Sequence, residues 1–326
     1  MGNEQLTMGN FLAPVQDQMV MVEELMHAQA QKHHPDLGMA LEHLLSSGGK
    51  RIRPAVALLA GGMLGGETDR LVTLAAAIEL LHTATLVHDD LIDGALLRRG
   101  ISTLNAHWSP AATVLTGDFI FAQAARLAAQ TNSVDVMHMF AETLATIVNG
   151  EITQLFSSPG LASREDYEER IRAKTASLFE LATAAAALLS PVDESTVETL
   201  RCCGYSIGMA FQIVDDVLDF TGEQATVGKP VASDLRQGLI TLPALYYLES
   251  NPNDERMQIV LENSYSNEDV IRSLVASIRE SGAIYYAMQD AKEFIDRGLE
   301  MLSRFPDNQE RGALEELARY IVNRQL

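Results

Sequence analysis

Two long apolar runs fix most of what this chain can fold into. Residues 68–94 and 193–220 are rich in Ala, Leu, Ile and Val, and their few charges gather at the C-terminal ends. Runs that are apolar on all sides at helical length belong at the centre of a helical bundle. Period-2 alternation bounded by turn residues is absent, so no strand is expected. Further helices are read at 14–34, from Pro35 to Leu45, from Ile52 onward with Pro54 in the first turn, and at 110–130, 134–156 and 164–189. Shorter ones fill Thr241 to Leu326, while 61–66 reads as a break and 222–238 as a loop. No repeat of solenoid length and no low-complexity linker interrupts the pattern. The expectation is an all-α chain, a single domain over 1–326 built as one large bundle of ten or more helices.

Composition narrows the function classes. Aromatic residues are 6% of the chain while alanine and leucine dominate, which favours helix over sheet. A net charge of −20 excludes the basic face that nucleic acid needs and disfavours docking on anionic lipid. Any anionic substrate must be received by local cations or metal. Cys202 and Cys203 are adjacent and alone, giving neither a disulfide framework nor a zinc site, so a cytoplasmic location is expected. The first residues carry no signal-peptide pattern and no myristoylation pattern. No uninterrupted apolar run reaches 18 residues, so no integral membrane segment is expected.

Chemistry gathers where the first run ends, at His88-Asp89-Asp90-Leu91-Ile92-Asp93, followed by Arg98-Arg99. On a helix Asp89 and Asp93 are i and i+4 and share a face, with His82 two turns earlier on nearly the same face. Carboxylates crowded this way repel unless a cation lies between them. An oxygen-only ligand set suits Mg²⁺, which bridges one or two carboxylates to substrate phosphates. One such cluster has an equally plain reading as solvated acids at a helix end. The second run removes that reading, because Asp215-Asp216-Val217-Leu218-Asp219 repeats the pattern at its own end. Two such clusters can face each other across a cavity and share a group of Mg²⁺ ions. Lys50, Arg53, Arg98, Arg99 and Lys229 stand beside loops and breaks, and Lys174 with Thr175 sits within an otherwise apolar helix; together they are cations suited to phosphate oxygens.

With these residues assembled, the chain resembles the trans-type isoprenyl diphosphate synthases, the polyprenyl synthetases, over nearly its whole length. The resemblance rests on Gly49-Lys50-Arg51-Ile52-Arg53-Pro54, His82, Asp89-Asp90-Leu91-Ile92-Asp93 with Arg98-Arg99, Lys174-Thr175, Phe211-Gln212 with Asp215-Asp216-Val217-Leu218-Asp219, and Gly228-Lys229-Pro230. It implies the isoprenoid synthase fold, helices around a deep central cavity, and a Mg²⁺-dependent head-to-tail condensation of isopentenyl diphosphate with an allylic prenyl diphosphate. It implies Lys50, Arg53, His82 and Arg99 on the isopentenyl diphosphate. Asp89, Asp93 and Asp215 would hold the metal, with Asp219 counted among the ligands, and Asp90, Asp216 and Asp219 acting directly or through water. Arg98, Lys174, Thr175, Gln212 and Lys229 would contact the allylic diphosphate, and Lys174 is counted with the six aspartates as catalytic. Three Mg²⁺ ions and a homodimer are implied, with a catalytic subunit of a heteromer as the alternative assembly. Members of the family often carry a further lysine ten residues after the position of Lys229; here it is Leu239, the form of members that make longer quinone side chains.

The first run also bears on product length. Thr85 lies one turn before Asp89 and Ala84 beside it, and a helical turn rises about 5.4 Å, close to one isoprene unit. Short-chain members commonly place aromatic residues here, so Ala84 and Thr85 leave the path open. Leu81, Ile78, Phe140 and Met137 are the candidates for a deeper floor, each with core packing as its plainer role. The expected product is C25 or longer, C30–C50, a quinone side-chain precursor. The alternatives are geranylgeranyl diphosphate, C20, and more remotely a class I terpene cyclase, which lacks the glycine-lysine-arginine loop and the second cluster.

Overall fold

Alanine, leucine and glutamate at helical spacing, punctuated by Pro, Gly and Ser at the breaks, give a chain that is helical almost throughout. The computed structural model describes residues 11–31, 34–46, 49–98, 100–156, 163–222, 231–262 and 268–324. The helices are α1 (Gln16–Ala28), α2 (Pro35–Ser46), α3 (Ile52–Met63), α4 (Thr68–Ile92), α5 (Pro110–Gln130), α6 (Val134–Phe156), α7 (Arg164–Ile171), α8 (Ser177–Leu188) and α9 (Glu194–Thr221). After these come α10 (Ser233–Arg236), α11 (Leu242–Ser250), α12 (Glu255–Glu262), α13 (Glu268–Glu280), α14 (Ala283–Leu302) and α15 (Gln309–Asn323). Local signals explain several starts. Ser109 caps α5 by accepting from the Ala112 N–H, with Pro110 at the first helical position. Ser163 and Asp166 form a reciprocal capping box at α7.

The chain divides into two units. The first comprises Met1–Leu144, Leu178–Gly204 and Met301–Leu317. Its centre is α4, against which α5, α3 and α1 pack. Burial explains why this helix is apolar on every side: Leu74, Ala75, Ala76, Ala77, Ile78, Leu81 and Ala84 are all fully enclosed. By length and hydropathy α4 is apolar enough to cross a membrane, yet 78% of its most apolar window is buried inside the protein. The second unit comprises Ala145–Ser177, Tyr205–Glu300 and Ala318–Leu326. Here α13 packs on α12 and α11, presenting Ile271, Leu274, Val275 and Ile278 at i, i+3, i+4 and i+7.

Four expectations need correction. The chain is not free of strands: Leu97–Arg98 and Ile101–Ser102 pair as a two-residue antiparallel ladder. A ladder this short has no room for the alternation that marks a strand in sequence. The break at 61–66 is narrower than its glycines suggest, since α3 runs through Gly61 and Gly62 to Met63. Gly61 serves packing, because a Cβ there would lie 2.3 Å from the side chain of Leu71 on α4. The stretch 164–189 is not one regular helix but α7 and α8 joined by a π-helical turn over Arg172–Ala176. The segment 222–238 includes the short helix α10, and its residues 223–230 lie outside those described.

Candidate active site

In the first unit, α4 delivers the first aspartate cluster at its end. Asp93 closes the helix as its C-cap and Gly94 follows at φ +63°, a left-handed conformation that suits glycine. Asp89 is half-buried and Asp93 exposed, while Asp90 is buried. The three therefore do different things. Asp90 turns inward and accepts from Arg98 Nε at 2.8 Å, so the first strand of the small ladder, just beyond α4, returns a guanidinium to the same cluster. Thr103 Oγ1 and Asn105 Nδ2 both donate to the Ala95 carbonyl, which pins this return. Arg99, the partner cation expected on isopentenyl diphosphate, lies outside the described residues.

The same unit brings the basic loop to α4. Arg51 adopts a left-handed backbone at φ +45°, and its guanidinium donates to Glu79 Oε1 at 2.8 Å and to the Leu45 carbonyl at 2.9 Å. Glu79 is buried in the middle of α4, so one ion pair ties the end of α2, the start of α3 and α4 together. This leaves Lys50 exposed on one side and carries Arg53 to His82, with Arg53 Nη1 donating to His82 Nε2 across 3.2 Å. Phe179 supplies an aromatic face 5.1 Å from the Arg53 guanidinium. Arg53 and His82, 29 residues apart in sequence, thus form one contact.

In the second unit, α9 delivers Asp215, Asp216 and Asp219, and each is engaged. Asp215 accepts from Arg324 at 2.5 Å. Asp216 is buried and accepts from Tyr167 Oη at 2.8 Å and Gln212 Nε2 at 2.7 Å. Burial, reinforced by the nearby Asp234 carboxylate, pushes the Asp216 carboxyl well above the usual carboxylate range. Burial likewise raises the Tyr167 phenol. Asp219 Oδ1 accepts from the backbone and hydroxyl of Ser233, and Oδ2 from the Asp234 N–H, so it anchors the start of α10. Thr175 Oγ1 donates to Gln212 Oε1 at 2.6 Å, which extends the chain Tyr167–Asp216–Gln212 to the π turn. That turn presents Lys174, whose ammonium meets Glu151 of α6 at 2.8 Å. Turns of this kind are rare and concentrate at functional positions. Lys229 lies outside the described residues, and Leu239 is half-buried.

Several of these partners carry no signal in sequence. Tyr167, Glu151, Ser233 and Arg324 are distant from the residues they serve, and none sits in a motif. Glu79 has a weak signal: it is a lone charge inside an apolar helix, and such a residue needs a partner when buried. Among the proposed chain-length residues, Leu81, Ala84 and Phe140 are fully buried, and Thr85 is half-buried with its hydroxyl donating to the His82 carbonyl.

Among the described residues, no three His, Cys, Asp or Glu side chains converge on one metal-sized point. The donor set is nevertheless of the kind that a hard divalent cation takes. Such ions bind through one or two carboxylates and complete their shell with water and substrate phosphate oxygens. Asp89 and Asp93, one turn apart, half-buried and exposed respectively, offer that partial shell.

An all-α fold whose long helices end in aspartate clusters, with a guanidinium–imidazole contact beside the first, defines an enzyme class that handles diphosphate esters. The polyprenyl synthetase family matches residues 34–278. A crystal structure of a polyprenyl synthase from Caulobacter crescentus CB15, complexed with calcium and isoprenyl diphosphate, aligns over 100% of both chains with a TM-score of 0.93 and 36% identity. Heptaprenyl diphosphate synthase component 2 of Geobacillus stearothermophilus is 38% identical over 317 residues, 94% of this chain and 96% of its own. A decaprenyl diphosphate synthase structure from Rhodobacter capsulatus aligns over 97% of this chain and 99% of its own, with a TM-score of 0.89 and 32% identity. The chain belongs to the polyprenyl synthetase family, and it is a prenyltransferase.

Proposed function

We propose that this chain, acting as one domain over 1–326, condenses isopentenyl diphosphate head-to-tail with an allylic prenyl diphosphate to an all-trans product of C25 or longer, in the range C30–C50. The relatives that support this length are named for heptaprenyl, octaprenyl and decaprenyl products. The observation that carries the reading is the difference within the cluster at the end of α4, where Asp90 is buried on Arg98 while Asp89 is half-buried and Asp93 exposed. Asp89, Asp93 and Asp215 would hold Mg²⁺, with Asp219 contributing beyond its role at α10. When bound, the metal supplies charge neutralisation for the departing diphosphate.

The chain's own residues account for the rest. Lys50, Arg53 and His82 bind the isopentenyl diphosphate, Arg53 being held against Phe179 and His82. Arg98, Lys174, Thr175 and Gln212 contact the allylic diphosphate; Lys174 is presented by the π turn, and Thr175 donates to Gln212. Arg99 and Lys229 complete the two sets. With a net charge of −20, the protein has no general attraction for an anion, so these few cations set where a diphosphate can rest. The apolar interior around Ala84 excludes water from the allylic cation that develops as the carbon–oxygen bond breaks. The isopentenyl double bond attacks that cation, and the departing diphosphate takes the proton that is then lost.

The proposed setting is cytoplasmic and the proposed assembly a homodimer; Val148, Ile152, Leu155 and Phe156, exposed along α6, supply an apolar face for it. The naming of one relative as a component keeps a heteromer as the competing assembly. The test is an assay with isopentenyl diphosphate and C5, C10, C15 and C20 primers, with chromatography of the dephosphorylated products. Products of C30–C50 are expected, and Asp89→Ala and Asp215→Ala should each abolish condensation. A sole C15 or C20 product removes the length assignment, and near-wild-type turnover in either variant removes the metal-site assignment.

A further inference from the structure

Arg324 follows the last residue of α15, and its backbone N–H still donates to the Tyr320 carbonyl at 2.8 Å. Its side chain is 6% exposed and reaches α9, where one nitrogen donates both to the Phe211 carbonyl at 2.9 Å and to Asp215 Oδ1 at 2.5 Å. The guanidinium also lies 4.3 Å from the centroid of the Phe211 ring. Phe211 and Asp215 are i and i+4 on one helix, so the two anchors are neighbours. They differ in kind. The Phe211 carbonyl and ring are neutral, whereas the Asp215 carboxylate is 42% exposed and is one that the proposed function gives to a metal.

We propose that Arg324 is the resident counter-cation of Asp215: its guanidinium occupies the carboxylate until a divalent ion enters with diphosphate, and then withdraws onto the Phe211 carbonyl and ring. The inference rests on reading Asp215 as a metal ligand. Two consequences follow from the chemistry. Arg324 keeps Asp215 neutralised and oriented before loading, which a bare carboxylate beside Asp216 and Asp219 would not achieve. It makes metal binding at α9 an exchange of one cation for another, so the apparent affinity is lowered by the strength of the pair that must part.

The test measures Mn²⁺ binding to the full chain by electron paramagnetic resonance of the free ion, with and without inorganic pyrophosphate. Wild type is compared with Arg324→Gln, Arg324→Lys and Asp215→Asn. Arg324→Gln should tighten Mn²⁺ binding roughly tenfold, the scale of one charge-assisted hydrogen bond. Arg324→Lys, which keeps the charge but loses the flat fork, should tighten it about twofold to threefold. Asp215→Asn should weaken it. A second reading comes from melting: metal-free Arg324→Gln should melt below wild type, and the gap should close when Mn²⁺ and pyrophosphate are added. If both arginine variants bind Mn²⁺ like wild type while Asp215→Asn binds it worse, the exchange is overturned and Asp215 remains a ligand. If Asp215→Asn leaves Mn²⁺ binding untouched, the metal-ligand reading of Asp215 falls first and takes the exchange with it.

Discussion

At the scale of single residues, the site depends on pairs that spend one charge to position another. Arg51 sits between Lys50 and Arg53 yet points away from them, into Glu79 and the Leu45 carbonyl. Its work is done through its neighbours: with its φ at +45° the loop is in a conformation that a β-carbon resists, and the ion pair holds it there. Both partners are largely enclosed, at 12% and 7% exposure, so removing Glu79 leaves Arg51 only the exposed Glu23 carboxylate, 3.8 Å away. Glu79→Ala is expected to cost about 3 kcal/mol of stability by urea denaturation, the scale for breaking a buried pair from one side. Assayed below its melting range, the same variant should raise KM for isopentenyl diphosphate more than it lowers kcat. Glu79→Gln, which keeps an acceptor, should recover part of both, and a Glu79→Ala protein as stable as wild type would show that the pair does not hold the loop.

At the scale of elements, α4 combines a packed body with a reactive end. Ala84 is fully enclosed, so Phe in its place must displace neighbours, an overpacking that costs about 1–3 kcal/mol. Thr85 is half-buried and spends its hydroxyl on its own helix, which leaves it the better position for a stopper. Thr85→Phe is expected to shorten the longest product, read by chromatography after dephosphorylation, while leaving the melting temperature close to wild type. A product distribution unchanged in length removes Thr85 from the tunnel wall. A second element-scale prediction concerns Asp254, before α12, which accepts from Arg256 and from Tyr247 Oη. The Arg256 guanidinium holds the Asp254 carboxyl well below the usual carboxylate range. A carboxyl depressed on folding stabilises fully above its unfolded value and loses that contribution as pH falls through the folded one. Asp254→Asn should therefore cost about 2 kcal/mol at neutral pH, and the difference from wild type should vanish as the pH is lowered below the carboxylate range. Equal losses at neutral and low pH in urea melts would point to packing instead.

At the scale of the whole molecule, a net charge of −20 means general self-repulsion, relieved locally by pairs such as Arg324–Asp215 and Arg51–Glu79. Raising sodium chloride from about 0.05 M to about 0.5 M shortens the screening length and should raise the melting temperature, on the order of 2 °C or more. A melting temperature that falls with salt would mean that attractive pairs outweigh the repulsion. Much of the molecule was legible in its sequence because helices announce themselves by period and caps: α5 and α6 begin and end where the pattern places them. The aspartates were legible because acids crowded at the end of an apolar helix repel one another unless a cation joins them. What stayed hidden was whatever depends on distant partners. Nothing near Asp216 points to Tyr167, 49 residues away, and nothing near Asp215 points to Arg324, 109 residues away. The ladder at Leu97–Ser102 was hidden for the opposite reason, being too short to carry any period.

The π turn at Arg172–Ala176 carries a consequence for how such a chain tolerates insertions and deletions. A π turn holds one residue more than a regular helical turn does. Removing the exposed Arg172 would take away that surplus residue, and the turn could close as a regular α-helical one. The gene would still read in frame and the chain would still fold, yet Lys174 and Thr175 would turn away from Glu151 and Gln212. A lost codon at this position would therefore erase function while leaving the fold as its only record.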